Sequence, residues 1–213
     1  MTPQAQSLAA HRIAALAPII PVLVVNDPAH GAPLAAALVK GGLPALEVTL
    51  RTPCALEVIA EMASVEGGVV GAGTLLTPWD VEQAKEAGAT FGVSPGATAH
   101  LIDACTANEL PLLPGAATAS EVMYLYEQGY DIMKFFPAEA NGGVPVLKAI
   151  GAPIPQVSFC PTGGVTMANA NDYLSLPNVV CAGGSWVAPK SAVTAGDWAE
   201  IERLAREAAT LAR

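Results

Sequence analysis

Basic residues are scarce in this chain. Ten Lys and Arg stand against 19 Asp and Glu over 213 residues, a formal net charge of −9. A surface of that sign repels phosphodiester backbones and anionic headgroups, which argues against nucleic acid and membrane surfaces as partners. Long apolar runs are missing as well. The most apolar stretch, "APIIPVLVV", ends at Asn26 and Asp27, well short of the ~20 residues a spanning helix needs. The opening "MTPQAQSLAAHRIAAL" has no basic start followed by an apolar run, so it is not a secretory signal. It reads as an amphipathic helix within residues 1–17, packed on the body of the protein, and the chain is expected in the cytoplasm. Cys54, Cys105, Cys160 and Cys181 form no C-x-x-C pair, and His11, His30 and His100 lie far apart. Zinc spacing is therefore absent and a disulfide framework is not expected. The cysteines read as small buried hydrophobes, and neither a metal nor a cofactor is expected.

What the chain does have is a repeat. Hydrophobic residues make up 52% of it, and they gather in short runs that recur about every 25 residues. The runs are 18–25, 45–50, 69–75, 90–95, 111–115, 132–137, 156–162 and 179–183. Helical patterns separate them. One covers 78–88, with Thr77 as cap and Pro78 in the first turn; another covers 118–129, starting at Thr118 or Ser120 and stopping at Gly129. The last stretch, "DWAEIERLAREAATLAR", has the charge pattern of an outer helix. Strands alternating with helices of this length imply a parallel sheet with right-handed crossovers. Eight units without a linker predict an α/β fold: a single-domain (β/α)8 TIM barrel over 1–213 with an extra N-terminal helix. A doubly wound open sheet is the competing architecture, disfavoured because no G-x-G-x-x-G follows the first run.

Strand parity then locates unusual polar groups. In "ALEVTLR", Leu46, Val48 and Leu50 suit the helix layer, so Glu47, Thr49 and Arg51 face the barrel interior. They form either a structural ion pair between strands or part of an active site at the carboxyl end of the barrel. In "DIMKFFP", parity turns Lys134 inward with Phe136 next above it. A buried ammonium is costly unless paired or deprotonated. Lys134 is therefore either salt-bridged to Glu47 or kept neutral to attack a carbonyl. A free lysine is neutral in only about one molecule in several thousand at neutral pH. Desolvation and a neighbouring cation such as Arg51 would have to supply about 3–5 kcal/mol in favour of the neutral amine. Thr74 ends the third run as an inward hydroxyl among small residues, and Thr162 ends the seventh. Gly163 and Gly164 follow the seventh run, and Gly184 and Ser185 close the eighth. Glycines in those two loops are a recurrent phosphate grip of barrel enzymes, although a lone pair of glycines also serves simply to permit a turn. Lys148 reads as a surface lysine on a helix, and Trp186 as either a wall of that loop or rim packing.

Together, "LEVTLRT", "GAGT", "SPG", "KFFPAEANGG", "FCPTGG" and "GGSW", in this order and spacing, resemble the 2-keto-3-deoxy-6-phosphogluconate (KDPG)/4-hydroxy-2-oxoglutarate (KHG) aldolase family of the Entner–Doudoroff pathway. The resemblance runs through essentially the whole barrel. It implies a metal-free Schiff-base aldolase, a lyase that cleaves 2-dehydro-3-deoxy-6-phosphogluconate reversibly to pyruvate and glyceraldehyde 3-phosphate, assembled as a homotrimer. Carried onto this sequence, it implies Lys134 as the lysine of the covalent intermediate, Glu47 as the acid/base and Arg51 as the contact to the substrate carboxylate. It also implies Thr74 and Thr162 at the keto-acid end, Pro95 and Phe136 beside the pyruvyl methyl, and Gly163, Gly164, Gly184 and Ser185 at the phosphate. Two departures are visible: Ser158 stands where many relatives carry a basic residue, and "PGAAT" replaces a bulkier "PGIST". Ser158 is expected deep in the barrel, altering packing or removing an ion pair there. Related pyruvate aldolases acting on 4-hydroxy-2-oxoglutarate or the galactonate isomer would use the same lysine, as would an engineered variant of the scaffold. A non-catalytic phosphate-ligand sensor would have no use for the costly amine.

Overall fold

The computed structural model describes residues 1–212. Its first half runs α1 (Pro3–Ala14), β1 (Ile19–Leu23), a 3-10 turn (Pro28–His30), α2 (Gly31–Lys40), β2 (Ala45–Thr49), α3 (Ala55–Ala63), β3 (Val69–Gly73), α4 (Pro78–Glu86) and β4 (Phe91–Val93). The second half runs α5 (Ala99–Ala107), β5 (Leu112–Leu113), β6 (Gly115–Ala116), α6 (Ala119–Gln128), β7 (Ile132–Phe135), α7 (Gly143–Gly151) and β8 (Ser158–Pro161). It ends with α8 (Ala170–Leu174), β9 (Ala182–Gly184), α9 (Lys190–Ala195) and α10 (Trp198–Ala209).

All strand pairs are parallel. One sheet has the order β5-β4-β3-β2-β1-β9 and a second the order β6-β7-β8. Two parallel bridges, Phe159 to Val179 and Thr162 to Gly183, join β8 to the β9 side. The single strand expected over 111–115 is split in two. Pro114 has no N–H to donate to a ladder, so β5 pairs with β4 before it and β6 pairs with β7 after it. Both pieces occupy one place in the ring, which closes the (β/α)8 barrel. The eighth run also differs: the expected strand at 179–183 narrows to β9, with Val179 left as a bridge.

The helix signals act as the local chemistry requires. Thr77 and Asp80 form a reciprocal capping box with Pro78 in the first turn of α4, and Thr118 with Glu121 does the same for α6. Gly129 ends α6 in the left-handed conformation, φ 101°.

Two apolar layers result. Leu46, Val48, Phe135 and Phe159 belong to the large layer between strands and helices. A smaller one fills the barrel floor with Ile20, Ala45, Phe91, Val93, Leu113, Ile132, Cys160 and Cys181. Ala10 and Ala14 of α1 join that floor, so the N-terminal helix closes the bottom of the barrel. Its polar residues are matched too. Tyr130 donates to Gln6 Oε1 at 2.8 Å, and Gln6 Nε2 donates to Thr106 Oγ1 at 2.9 Å. The four cysteines are free, and burial pushes the Cys105 thiol up to about 12. Ser158 opens β8 opposite Ile132, at the floor end. Among the described residues, no helix is long and apolar enough to cross a membrane.

Candidate active site

The strand geometry that buries Leu46 and Val48 outward turns Glu47 inward, where it is 2% exposed. Lys134 reaches it from β7 across the barrel. Its main-chain N–H donates to Pro114 O at 2.8 Å, so the split in the fifth strand also seats this residue. The two side chains meet as an ion pair, Lys134 Nζ to Glu47 Oε1 at 3.0 Å. The Phe136 ring centroid lies 5.4 Å from the same nitrogen, within cation–π range. Of the two arrangements the sequence allows at Lys134, the structure shows the ion pair with Glu47.

Small residues make room for that carboxylate. A Cβ at Gly73 would run into the Glu47 carboxyl group. The small residues of "GAGT" therefore accommodate Glu47 and do not only leave room for a ligand. Thr74 follows immediately at φ 65°, a left-handed conformation that β-branched residues rarely adopt. This turn sets Thr74 at the mouth of the barrel.

Arg51 lies just past β2 and is exposed; it does not climb inside the strand. Thr49 holds it at the rim. The Thr49 hydroxyl donates to Leu23 O at 2.7 Å and accepts from Arg51 Nε at 3.2 Å. With its Nε engaged, the guanidinium keeps its two terminal nitrogens for the cleft.

These groups line one cleft of about 250 Å³ at the carboxyl ends of the strands. Glu47, Arg51, Thr74, Pro95, Lys134, Phe136 and Thr162 all border it, together with Val22 and Thr49. Thr49 shares the parity of Glu47, so its place was readable in the sequence. Val22 carries no chemical signal beyond its register opposite Glu47. Larger surface clefts, of about 350 Å³ beside α7 and α8 and about 340 Å³ between β1 and α9, hold no buried lysine–carboxylate pair.

Gly163, Gly164, Gly184 and Ser185 do not border the cleft. They sit beside it, on the turns that follow β8 and end β9, brought together by the Thr162–Gly183 bridge. Gly163 and Gly164 have φ of 100° and 81°. Among the described residues the N–H groups of Gly163, Gly164 and Ser185 make no hydrogen bond. Free N–H groups of successive residues in a turn can form an anion-binding concavity. Trp186 packs against Gly184, where a Cβ would collide with its ring, and Lys148 is an exposed residue of α7. No group of three or more potential metal-ligating side chains occurs among the described residues.

A parallel α/β barrel whose mouth presents a lysine paired with a carboxylate, next to an arginine and an open cleft, has the equipment of a lysine-dependent aldolase. The sequence relationships are specific. A family model described as "KDPG and KHG aldolase" matches residues 11–204. The KHG/KDPG aldolase of Escherichia coli (strain K12) is 50% identical over 93% of this chain and 94% of its own. Among solved structures, the 2-keto-3-deoxy-6-phosphogluconate aldolase of Zymomonas mobilis ZM4, determined with 3-phosphoglycerate, is 51% identical. It superimposes with a TM-score of 0.90 over 95% of both chains. The KDPG aldolase of Legionella pneumophila, determined with pyruvate captured at low pH as a covalent carbinolamine intermediate, is 44% identical. Its TM-score is 0.91 over 94% of this chain and 98% of that one. The chain belongs to the KDPG and KHG aldolase family, and is a lyase.

The backbone at Thr74 yields a stability test. A left-handed non-glycine residue costs on the order of 1–3 kcal/mol, while glycine adds roughly 0.4–1 kcal/mol of unfolded-chain entropy. Thr74→Gly is therefore expected to hold or raise stability in urea unfolding. A clearly lower midpoint would contradict the strain at this position.

Proposed function

We propose that this cleft cleaves 2-dehydro-3-deoxy-6-phosphogluconate, reversibly, to pyruvate and glyceraldehyde 3-phosphate through a Schiff base on Lys134. The observation that carries the reading is the Lys134–Glu47 pair at 3.0 Å, opening onto a cleft. The Legionella relative supports it, because pyruvate is held there as a covalent carbinolamine.

The resting pair holds one proton between two groups that are both removed from water. Passing that proton from Nζ to the carboxylate converts a charged pair into a neutral one and creates the nucleophile without a free buried charge. The amine then adds to the C2 ketone, giving a carbinolamine. Glu47, now an acid, protonates the departing hydroxyl, and loss of water leaves the iminium. That cation accepts the electrons of the C3–C4 bond. As the bond opens, Glu47 takes the proton of the C4 hydroxyl, directly or through a water. Glyceraldehyde 3-phosphate leaves; the enamine is protonated at C3, and hydrolysis of the imine frees pyruvate and the amine.

The remaining groups orient the substrate. Arg51, steadied through Nε, holds the carboxylate with its free nitrogens. Thr74 and Thr162 contact the keto-acid end, and Pro95 and Phe136 flank the methyl-bearing carbon. The N–H groups of Gly163, Gly164 and Ser185 take the phosphate, beside Gly184, whose own N–H belongs to the β1–β9 ladder; the 3-phosphoglycerate of the Zymomonas structure is a chemical parallel. Grips at both ends supply the orientation a small reacting centre lacks. The name of the Escherichia coli relative favours a second substrate, 4-hydroxy-2-oxoglutarate, which uses the same lysine and needs no phosphate grip. The homotrimer implied by the family resemblance belongs to this reading too, and exposed Leu76, Trp79, Met123 and Tyr126 give it apolar surface for contact.

Lys134→Ala is expected to abolish cleavage measured with a coupled pyruvate assay, with the circular dichroism spectrum unchanged. Near-normal turnover would rule out the Schiff-base route. Ser185→Glu places a carboxylate at the phosphate turn. It is expected to weaken use of phosphorylated aldehydes in the condensation direction while sparing unphosphorylated ones. Equal loss on both would remove the phosphate assignment.

A further inference from the structure

The turn after β8 has its carbonyls tied down one after another. Thr162 O accepts from Ala138 N at 2.8 Å, and Gly163 O accepts from Glu139 N at 3.0 Å. Gly164 O accepts from Asn169 Nδ2 at 3.2 Å. In a trans peptide unit the C=O and N–H point in opposite directions. Anchoring these three carbonyls in the protein therefore turns the N–H groups of Gly163, Gly164 and Val165 the other way, and none of the three is hydrogen-bonded among the described residues. The Ala138–Glu139 segment is the backing against which this turn rests.

That backing has its own anchor. Tyr173, on α8, is fully buried, and its hydroxyl donates to Glu139 Oε1. Burial, reinforced by the neighbouring carboxylate, pushes the phenol far above its ordinary range, so it stays a donor across the working pH. The Glu139 stem also lies directly under the turn. A Cβ at Gly164 would fall 2.5 Å from Glu139 Cγ and 2.6 Å from its Cβ. Residue 143 leaves space for the same pair: a Cβ there would lie 3.1 Å from the Tyr173 hydroxyl and 3.3 Å from Glu139 Oε1. Glu139 is otherwise out of place, since an acidic side chain beside an anion site repels its ligand. Hydrogen bonding to Tyr173 draws the carboxylate toward α8 and uses it as a brace.

We propose that Glu139 and Tyr173 are positioning residues of the phosphate grip, bracing the Gly163–Gly164 turn with its N–H groups directed at the ligand. The proposal deepens, and rests on, the phosphate assignment made above.

The test compares condensation of pyruvate with D-glyceraldehyde 3-phosphate and with unphosphorylated D-glyceraldehyde, and adds inorganic phosphate as a competing anion. Tyr173→Phe keeps the ring and removes only the donor. It is expected to raise KM for the phosphorylated acceptor, and the inhibition constant of phosphate, about tenfold, the scale of one hydrogen bond to a charged group. KM and kcat for D-glyceraldehyde, measured without phosphate, should stay as in the unmodified protein. Glu139→Ala should behave alike, and Glu139→Gln, which retains an acceptor oxygen for the phenol, should restore the grip. Unchanged KM for the phosphorylated acceptor in Tyr173→Phe, or equal loss on both acceptors, overturns the brace. If phosphate fails to compete in the unmodified protein, the phosphate assignment falls and the brace with it. Competition there, combined with an indifferent Tyr173→Phe, overturns the brace alone.

Discussion

An ammonium and a carboxylate 3.0 Å apart, both nearly sealed from water, each lose hydration worth several kcal/mol. Neither could stay charged in this barrel without the other. Much of the surrounding layout follows from seating them together. Pro114 breaks the fifth strand, and its carbonyl fixes the main chain of Lys134. Gly73 withholds a side chain where the Glu47 carboxyl group lies. The apolar floor below, from Ile20 to Cys181 with α1 beneath it, leaves only the carboxyl-end mouth open to ligand. A buried pair of this kind is weak evidence for stability. Its chemical use is stronger: one proton shift across it produces an amine and an acid side by side.

The rest of the site handles charge of the opposite sign. The protein is acidic overall, yet its proposed substrate is an anion at both ends. In the proposed reading this is resolved locally, with one guanidinium at the keto-acid end and bare backbone N–H groups at the other. Arg51 is exposed but not loose, because Thr49 ties its Nε to the strand and the strand to Leu23. At the proposed phosphate turn, peptide groups stand in for side-chain cations. Their direction is set from behind by the 138–139 segment and Asn169.

Parity in two short runs carried most of the site. "ALEVTLR" and "DIMKFFP" each place one charged group among apolar neighbours, and alternation alone aims both into the barrel. The family resemblance implies roles that alternation does not, such as Pro95 beside the substrate methyl, and Pro95 does border the cleft. Three features escaped because they depend on contacts between distant segments. Val22 borders the cleft only through its register opposite Glu47. The split at Pro114 depends on which neighbour each half-strand meets. Glu139 reads as one more surface acid until Tyr173, 34 residues later, is found against it. Arg51 marks a different limit: alternation continued past Thr49, but the strand did not, and the residue stands exposed at the rim of the cleft.

The central claim is that the amine at position 134 becomes a covalent partner of a keto acid. Incubation with pyruvate and borohydride, followed by peptide mass spectrometry, reads this directly. The account predicts one reduced pyruvyl adduct, on the peptide containing Lys134. No adduct, or an adduct on Lys148 or another surface lysine, would contradict it.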